Sequence, residues 1–168
     1  MELDSLYQEV ILDHYKKPHH KGLPVGEIQV HHVNPNCGDE ITLSLSIKDG
    51  KVEDLIWDGV GCSISQASAS IMSDLVSGKS VESARVALQE FTELMQSKGT
   101  ISGDEEILED AIALAGVSKF PARVKCALLG WMAYSVEIEQ YMTEPKALMA
   151  QGNTLKEALE NLLKLLDA

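Results

Sequence analysis

The sequence predicts an α+β fold, a small three-stranded antiparallel sheet with helices packed on it, and three observations carry that expectation. Between residues 27 and 58 apolar residues alternate with polar ones, which is the period of a half-buried strand. From Ser63 onward the apolar residues recur at three- and four-residue steps, the period of a helix. Strands come first and helices follow, an order that segregates helices to one side of an antiparallel sheet.

The elements follow in order. Leu6, Tyr7, Val10 and Ile11 fall on one face of an N-terminal helix beginning near Leu3, and Pro18 ends it. Residues 16–24, KKPHHKGLP, hold two prolines and a glycine among basic and polar residues and read as a loop. Ile28 and Val30 mark the first strand, Ile41, Leu43, Leu45 and Ile47 the second, and residues 52–57 the third. Asp49 and Gly50, between the second and third, tolerate the positive φ of a two-residue hairpin turn. After the third strand Gly59 and Gly61 let the chain turn sharply into a helix at Cys62. Helical pattern then continues to the C-terminus with breaks at Gly78, at residues 98–103, near Gly116 and over residues 145–153. Asp104, Glu105 and Glu106 place carboxylates at a helix start, against the positive end of its dipole. Thr154 and Glu157 form a capping box ahead of Leu155, Leu159, Leu162 and Leu166.

The 168 residues, 45% of them apolar, suit one domain spanning residues 1–168 with a single core. A formal charge of -12 argues against a nucleic-acid partner, which would need clustered Lys and Arg. No run approaches the roughly 18 apolar residues of a membrane helix, so no membrane insertion is expected. The N-terminus, MELDSLYQEV, carries acids where a signal peptide carries Lys or Arg, and the expected location is cytoplasmic. Three cysteines in a reducing compartment leave free thiols or metal ligands rather than a disulfide framework.

Chemistry concentrates at element ends. Cys37 and Asp39 stand in the loop NPNCGDE, Cys62 at a helix start and Cys126 near the start of the helix after Pro121. Three thiolates and a carboxylate are donors that a tetrahedral zinc ion accepts, provided the fold brings three separate elements together. Spacing alone equally allows three small buried hydrophobes. The local settings favour thiolates: a Gly- and Asn-rich turn around Cys37, Gly-Val-Gly before Cys62, and Arg123 and Lys125 before Cys126. Arg123 and Lys125 are also the natural supporting cations for the surplus negative charge of such a site, or else two solvated bases. Of the five histidines, His19 and His20 in a loop could bind metal, but no further ligand stands at a motif spacing. Ser63, Ser65, Ser68 and Ser70 lack a nucleophile elbow and read as small residues that let a helix pack closely.

Four stretches carry a resemblance over nearly the whole chain: LYQEVILDHYKKPHHKG, NPNCGDE around Cys37, GVGCSISQASASIM around Cys62 and RVKCALLGW around Cys126. Together they resemble the SufU branch of the IscU/NifU-like iron–sulfur cluster assembly proteins. The resemblance implies a compact α+β domain with a surface site built from Cys37, Asp39, Cys62 and Cys126, holding Zn2+. It implies a zinc-dependent sulfurtransferase that accepts persulfide sulfur at Cys37 from a SufS-type cysteine desulfurase and serves downstream iron–sulfur assembly proteins. The alternative it implies is a scaffold, with iron or a nascent [2Fe–2S] cluster on the same residues. Lys125 stands where IscU-like scaffolds carry a histidine, and FPARVKC replaces their Leu-Pro-Pro-Val-Lys segment; both departures weigh against an Hsp70-assisted scaffold role. Residues 79–99 resemble the insertion of SufU-like chains, with Val81, Ala84, Leu88, Phe91 and Met95 placed to pack as a helix.

Overall fold

The structure is a computed structural model, and it describes residues 2–22, 29–34, 38–143 and 163. It begins with α1 (Glu2–Lys16), which stops two residues before Pro18 because that ring blocks a helical predecessor. Strands β1 (Val30–Asn34), β2 (Asp39–Lys48) and β3 (Lys51–Val60) form an antiparallel sheet in the order β1-β2-β3. Lys48 pairs with Lys51 across a two-residue turn, and Asp49 and Gly50 sit at φ 54° and 75°, as a hairpin turn of this length demands. The third strand runs three residues beyond the apolar stretch that signalled it, through Asp58, Gly59 and Val60, because Ile41 and Glu40 of β2 remain available to pair with Gly59 and Val60. Ile28 lies outside the described residues.

One sheet face supplies Val30, Ile41, Leu43, Val52, Leu55 and Trp57 to the core. Over it lie α2 (Ser63–Val76), α3 (Val81–Gln96), and α5 (Pro121–Thr143), with the short α4 (Glu105–Leu108) and a 3₁₀ segment (Glu109–Lys119) closing one side. The expected helix in residues 79–99 is α3: Val81, Ala84, Phe91 and Met95 are buried, Leu88 is partly so, and Phe91 stacks on Trp131 of α5 at 4.1 Å between centroids. Asp104 caps α4, its Oδ1 accepting from Glu106 N at 2.9 Å.

One expected break moves. The 3₁₀ segment runs through Gly116 to Lys119, and the chain turns instead at Phe120 (φ -120°, ψ 94°), the residue that Pro121 bars from helical backbone. Pro121 then opens α5, where its missing N–H costs nothing. The serines of α2 also do more than permit close packing. Ser68 Oγ donates to Ala127 O at 2.6 Å and accepts from Trp131 Nε1 at 3.0 Å, which ties α2 to α5 through buried, satisfied groups. The capping box at Thr154 and Glu157, its four leucines and the break over residues 145–153 lie outside the described residues.

Where it faces the sheet, α5 carries a carboxylate that sequence patterning does not single out. Glu137 is 4% exposed, and burial pushes its pKa up from the ordinary 4.5 to about 7, partly offset by backbone N–H groups of Leu45 and Val30. Its Oε1 has no hydrogen-bond partner among the described residues.

Candidate metal centre

Asp39 is the first residue of β2, paired with Asn34 of β1 and 2% exposed. A carboxylate so buried needs donors. It takes one from the next element: Cys62 N donates to Asp39 Oδ1 at 3.0 Å. Cys62 is the N-cap of α2, in extended backbone (φ -70°, ψ 169°), and its own side chain makes no capping hydrogen bond. Asp39 therefore supplies from β2 the oxygen that the N3 carboxylate of a capping box would supply, accepting from the N–H of the N-cap residue. That arrangement leaves the Cys62 sulfur to face the carboxylate, with Sγ 3.6 Å from Asp39 Oδ2.

Gly61 makes the approach possible. A Cβ at this position would collide with Ser65 Oγ and lie 2.7 Å from Asp39 Oδ1 and 2.8 Å from its Cγ. The glycine that the sequence offered as a turn residue is thus required by contact with the carboxylate as well.

Cys126 completes the group. It sits in α5, 2% exposed, with Sγ 3.7 Å from Ala122 O one turn earlier. One donor atom from each of Asp39, Cys62 and Cys126 lies within 4.8 Å of the other two. A tetrahedral ion with metal–sulfur bonds of about 2.3 Å separates its sulfurs by about 3.8 Å, so these three donors could close on one ion with small side-chain rotations. Two thiols and one carboxylate suit a borderline-soft divalent ion such as zinc. Cys37, the fourth residue of the expected set, lies outside the described residues. It stands two positions before Asp39, so its Cα is within about 7 Å of that of Asp39 by chain length alone.

Arg123 and Lys125 are exposed on the first turns of α5, and neither makes an ion pair among the described residues. Arg123 lines a cleft with Tyr7, Ile11, Ser63, Ile64 and Phe120, which places it beside the residue after Cys62. His19 and His20 gain what the sequence did not show. Folding brings His14 from α1 and Asp74 from α2 against them, Asp74 from more than 50 positions away.

Residues 6–127 match the family model for the NifU-like N terminal domain. The chain is 48% identical over 132 residues to the zinc-dependent sulfurtransferase SufU of Bacillus subtilis, covering 78% of this chain and 88% of that one. It is 42% identical over 139 residues to the iron–sulfur cluster assembly scaffold protein IscU of Streptococcus pyogenes, covering 83% and 86%. Among solved structures it is similar to a proposed iron–sulfur cluster assembly scaffold protein for the SUF system from Fervidobacterium islandicum, with TM-score 0.67, 32% identity, and coverage of 76% of this chain and 93% of that one.

Proposed function

Since the chain belongs to the NifU-like N-terminal domain family, and within it to the IscU/SufU-type iron–sulfur cluster assembly proteins, we propose that it is a zinc-dependent sulfurtransferase taking persulfide sulfur from a SufS-type cysteine desulfurase in the cytoplasm. The observation that supports this reading is the convergence of Asp39, Cys62 and Cys126 from three elements, at the end of a chain stretch that carries Cys37. The zinc named for the Bacillus relative fits that donor set. When bound, zinc would keep the thiols ionised at neutral pH and be held by Asp39, Cys62, Cys126 and Cys37.

The residues divide the work. Cys62 and Cys126 belong to helices, and moving either sulfur would disturb α2 or the buried wall of α5. Cys37 lies between Asn36 and Gly38 and is the sulfur offered for transfer. Its thiolate attacks the outer sulfur of the desulfurase persulfide: a Cys37 S–S bond forms, the donor's S–S bond breaks, and the donor cysteine leaves as thiolate. No net oxidation occurs, and one thiolate replaces another. Asp39, oriented by the Cys62 N–H, keeps Oδ2 turned to the site, while Arg123 and Lys125 offset its negative charge.

A second reading, a scaffold holding a nascent [2Fe–2S] cluster as cargo for downstream assembly proteins, is favoured by the function named for the Streptococcus relative. Mass spectrometry after incubation with a cysteine desulfurase and cysteine separates the two. The sulfurtransferase reading expects one added sulfur on the Cys37 peptide of a zinc-loaded protein, together with faster desulfurase turnover. An adduct confined to Cys62 or Cys126, or a protein purified with iron and no effect on turnover, sinks it.

A further inference from the structure

We infer that the chain carries a second, cysteine-free metal site, formed by His14, His19 and Asp74, for a first-row divalent ion that accepts imidazole and carboxylate donors. The inference is independent of the cysteine site, shares no residue with it, and stands whichever reading of that site holds.

The donors come from three places that only the fold joins. His14 is in the last turn of α1 and is 6% exposed. His19 follows Pro18 in the loop, and Asp74 is in the last turn of α2. One donor atom from each lies within 4.8 Å of the other two, the same criterion that groups the cysteines. The His14 and His19 rings are 4.6 Å apart at their centroids and tilted by 49°, and His19 Nδ1 contacts Asp74 Oδ2 directly. An ion with metal–nitrogen bonds of about 2.1 Å needs donors about 3.4 Å apart, so the His19–Asp74 pair, now in direct contact, would open to admit the ion while His14 stays within side-chain reach. Two imidazoles and one carboxylate on one side of an ion leave positions open for water, a set that zinc and iron(II) both accept.

The surroundings hold these donors in place before any ion arrives. His14 Nδ1 hydrogen-bonds Ser70 Oγ at 2.7 Å, and its Nε2 lies 3.6 Å from Asp110 Oδ2, so whichever nitrogen meets the ion the other keeps a partner. The His19 backbone is clamped at both ends: its N–H donates to Ser70 Oγ at 2.7 Å, and its carbonyl accepts from Trp57 Nε1 at 2.9 Å and Ser73 Oγ at 3.2 Å. His20 Nε2 lies 3.1 Å from the other oxygen of Asp74, and its Nδ1 lies 3.3 Å from Asp54 Oδ1. Asp74 is thereby oriented by a neighbour that is itself held. A loop built only to connect α1 to the sheet has no need of so many fixed ring nitrogens.

Charge points the same way. With neutral imidazoles, Asp54, Asp74 and Asp110 leave three negative charges in one cluster of a chain already at -12. Among the described residues no Lys or Arg forms an ion pair with these three carboxylates, and Lys21, next to His20, is engaged elsewhere, donating to Gln66 Oε1 at 2.8 Å with its Nζ 5.3 Å from the Trp57 ring centre. A divalent ion offsets this charge where the ring nitrogens already converge.

The full chain, stripped of metal and titrated with Zn2+ and then Co2+, tests the inference. Two equivalents are expected. One should give cobalt spectra with a near-ultraviolet thiolate charge-transfer band, the other only visible ligand-field bands. In the double variant His19→Gln, Asp74→Asn, both substituted at partly exposed positions, the second equivalent should disappear and the thiolate band persist. The variant Cys62→Ser should show the reverse, keeping the thiolate-free ion. A single equivalent in the unaltered protein, thiolate character on every bound ion, or a second equivalent that survives the double substitution overturns the inference in favour of a plain histidine–aspartate ion-pair network.

Discussion

At the N-terminal end of α2, Cys62 meets Asp39 and Cys126; at its C-terminal end, 12 positions or about 18 Å along the axis, Asp74 meets His14 and His19. The two clusters differ in the kind of donor as well as in place. Exposed N–H groups and the positive end of the dipole favour anionic ligands beside Cys62, whereas the carbonyl end favours cations, so an aspartate there gains from a metal ion beside it. A single helix thus sorts soft anionic donors to one end and imidazole-rich chemistry to the other. The clusters differ equally in support. Among the described residues the Asp39 side chain is held from Cys62, through its N–H and Sγ, while the histidine loop is tied down by Trp57, Ser70 and Ser73.

The largest expected effects fall on the cysteine end. Cys37→Ser should reduce sulfur acceptance to background while the protein stays folded and keeps metal, because Asp39, Cys62 and Cys126 remain. Cys62→Ser or Cys126→Ser should instead weaken zinc binding by at least about 100-fold and lower the Tm, since ligands from separate elements couple binding to folding. Metal analysis alongside thermal unfolding measures both, and equal behaviour of the three variants would erase the distinction between mobile and fixed sulfurs.

Next in size is a carboxylate that belongs to neither end. Asp39 and Asp74 have donors or cations beside them; Glu137, buried under the sheet, has a pKa raised to about 7. Folding therefore favours its protonated form. The stabilisation is complete below the ordinary 4.5 and is lost as the pH rises to about 7, with no further change above that. The loss amounts to about 3 kcal/mol at most. Glu137→Gln should remove this decline: the difference in unfolding free energy between variant and unaltered protein, measured in urea at pH 5 and pH 8, should shift in favour of the variant at pH 8. A constant difference would mean that Glu137 titrates normally.

Gly61→Ala should cost about 2 kcal/mol, the usual penalty for forcing atoms into a filled space, because the new methyl meets Ser65 Oγ and Asp39 Oδ1. The same variant should lose zinc faster to a chelator, since Asp39 is what moves. Unchanged chelator resistance would show that the carboxylate position is not limiting.

The meeting of Asp39, Cys62 and Cys126 was legible in the sequence because local chemistry marks the element ends they stand on: Gly61 before Cys62, and Pro121 opening the helix that carries Cys126. The same holds for α3, where the period of Val81, Ala84, Phe91 and Met95 announces a buried face. The histidine cluster was not legible. His19 and His20 were visible as a loop pair, but Asp74 sits in α2 with no motif around it, and only the packing of α1 on α2 brings it within reach. The break near Gly116 failed for a related reason: a glycine is permitted inside a tight 3₁₀ run, and the proline five residues after it decides where the chain turns. Glu137 is silent in sequence because nothing in its spacing shows that the sheet covers it.

The smallest expected effect is the most informative about how the two ends differ. Asp39 has two oxygens with separate tasks: Oδ1 caps α2 through Cys62 N, and Oδ2 faces the sulfur. In Asp39→Cys the thiolate replaces only the second task, because sulfur is a weak acceptor and a single atom cannot hold the N–H while binding an ion. The metal-free variant should therefore be less stable by about 1 kcal/mol, the usual net worth of one hydrogen bond. With zinc bound the order should reverse, since a fully thiolate set is the closed structural arrangement and a carboxylate is the harder, less matched ligand. Sulfur acceptance by Cys37 should slow in step with the tighter hold. Thermal unfolding with and without zinc, chelator release rates and persulfide transfer together decide the matter. A variant as stable as the unaltered protein without metal would deny Oδ1 its capping role. One that released zinc and accepted sulfur at unchanged rates would show that the carboxylate does not set how readily the site opens.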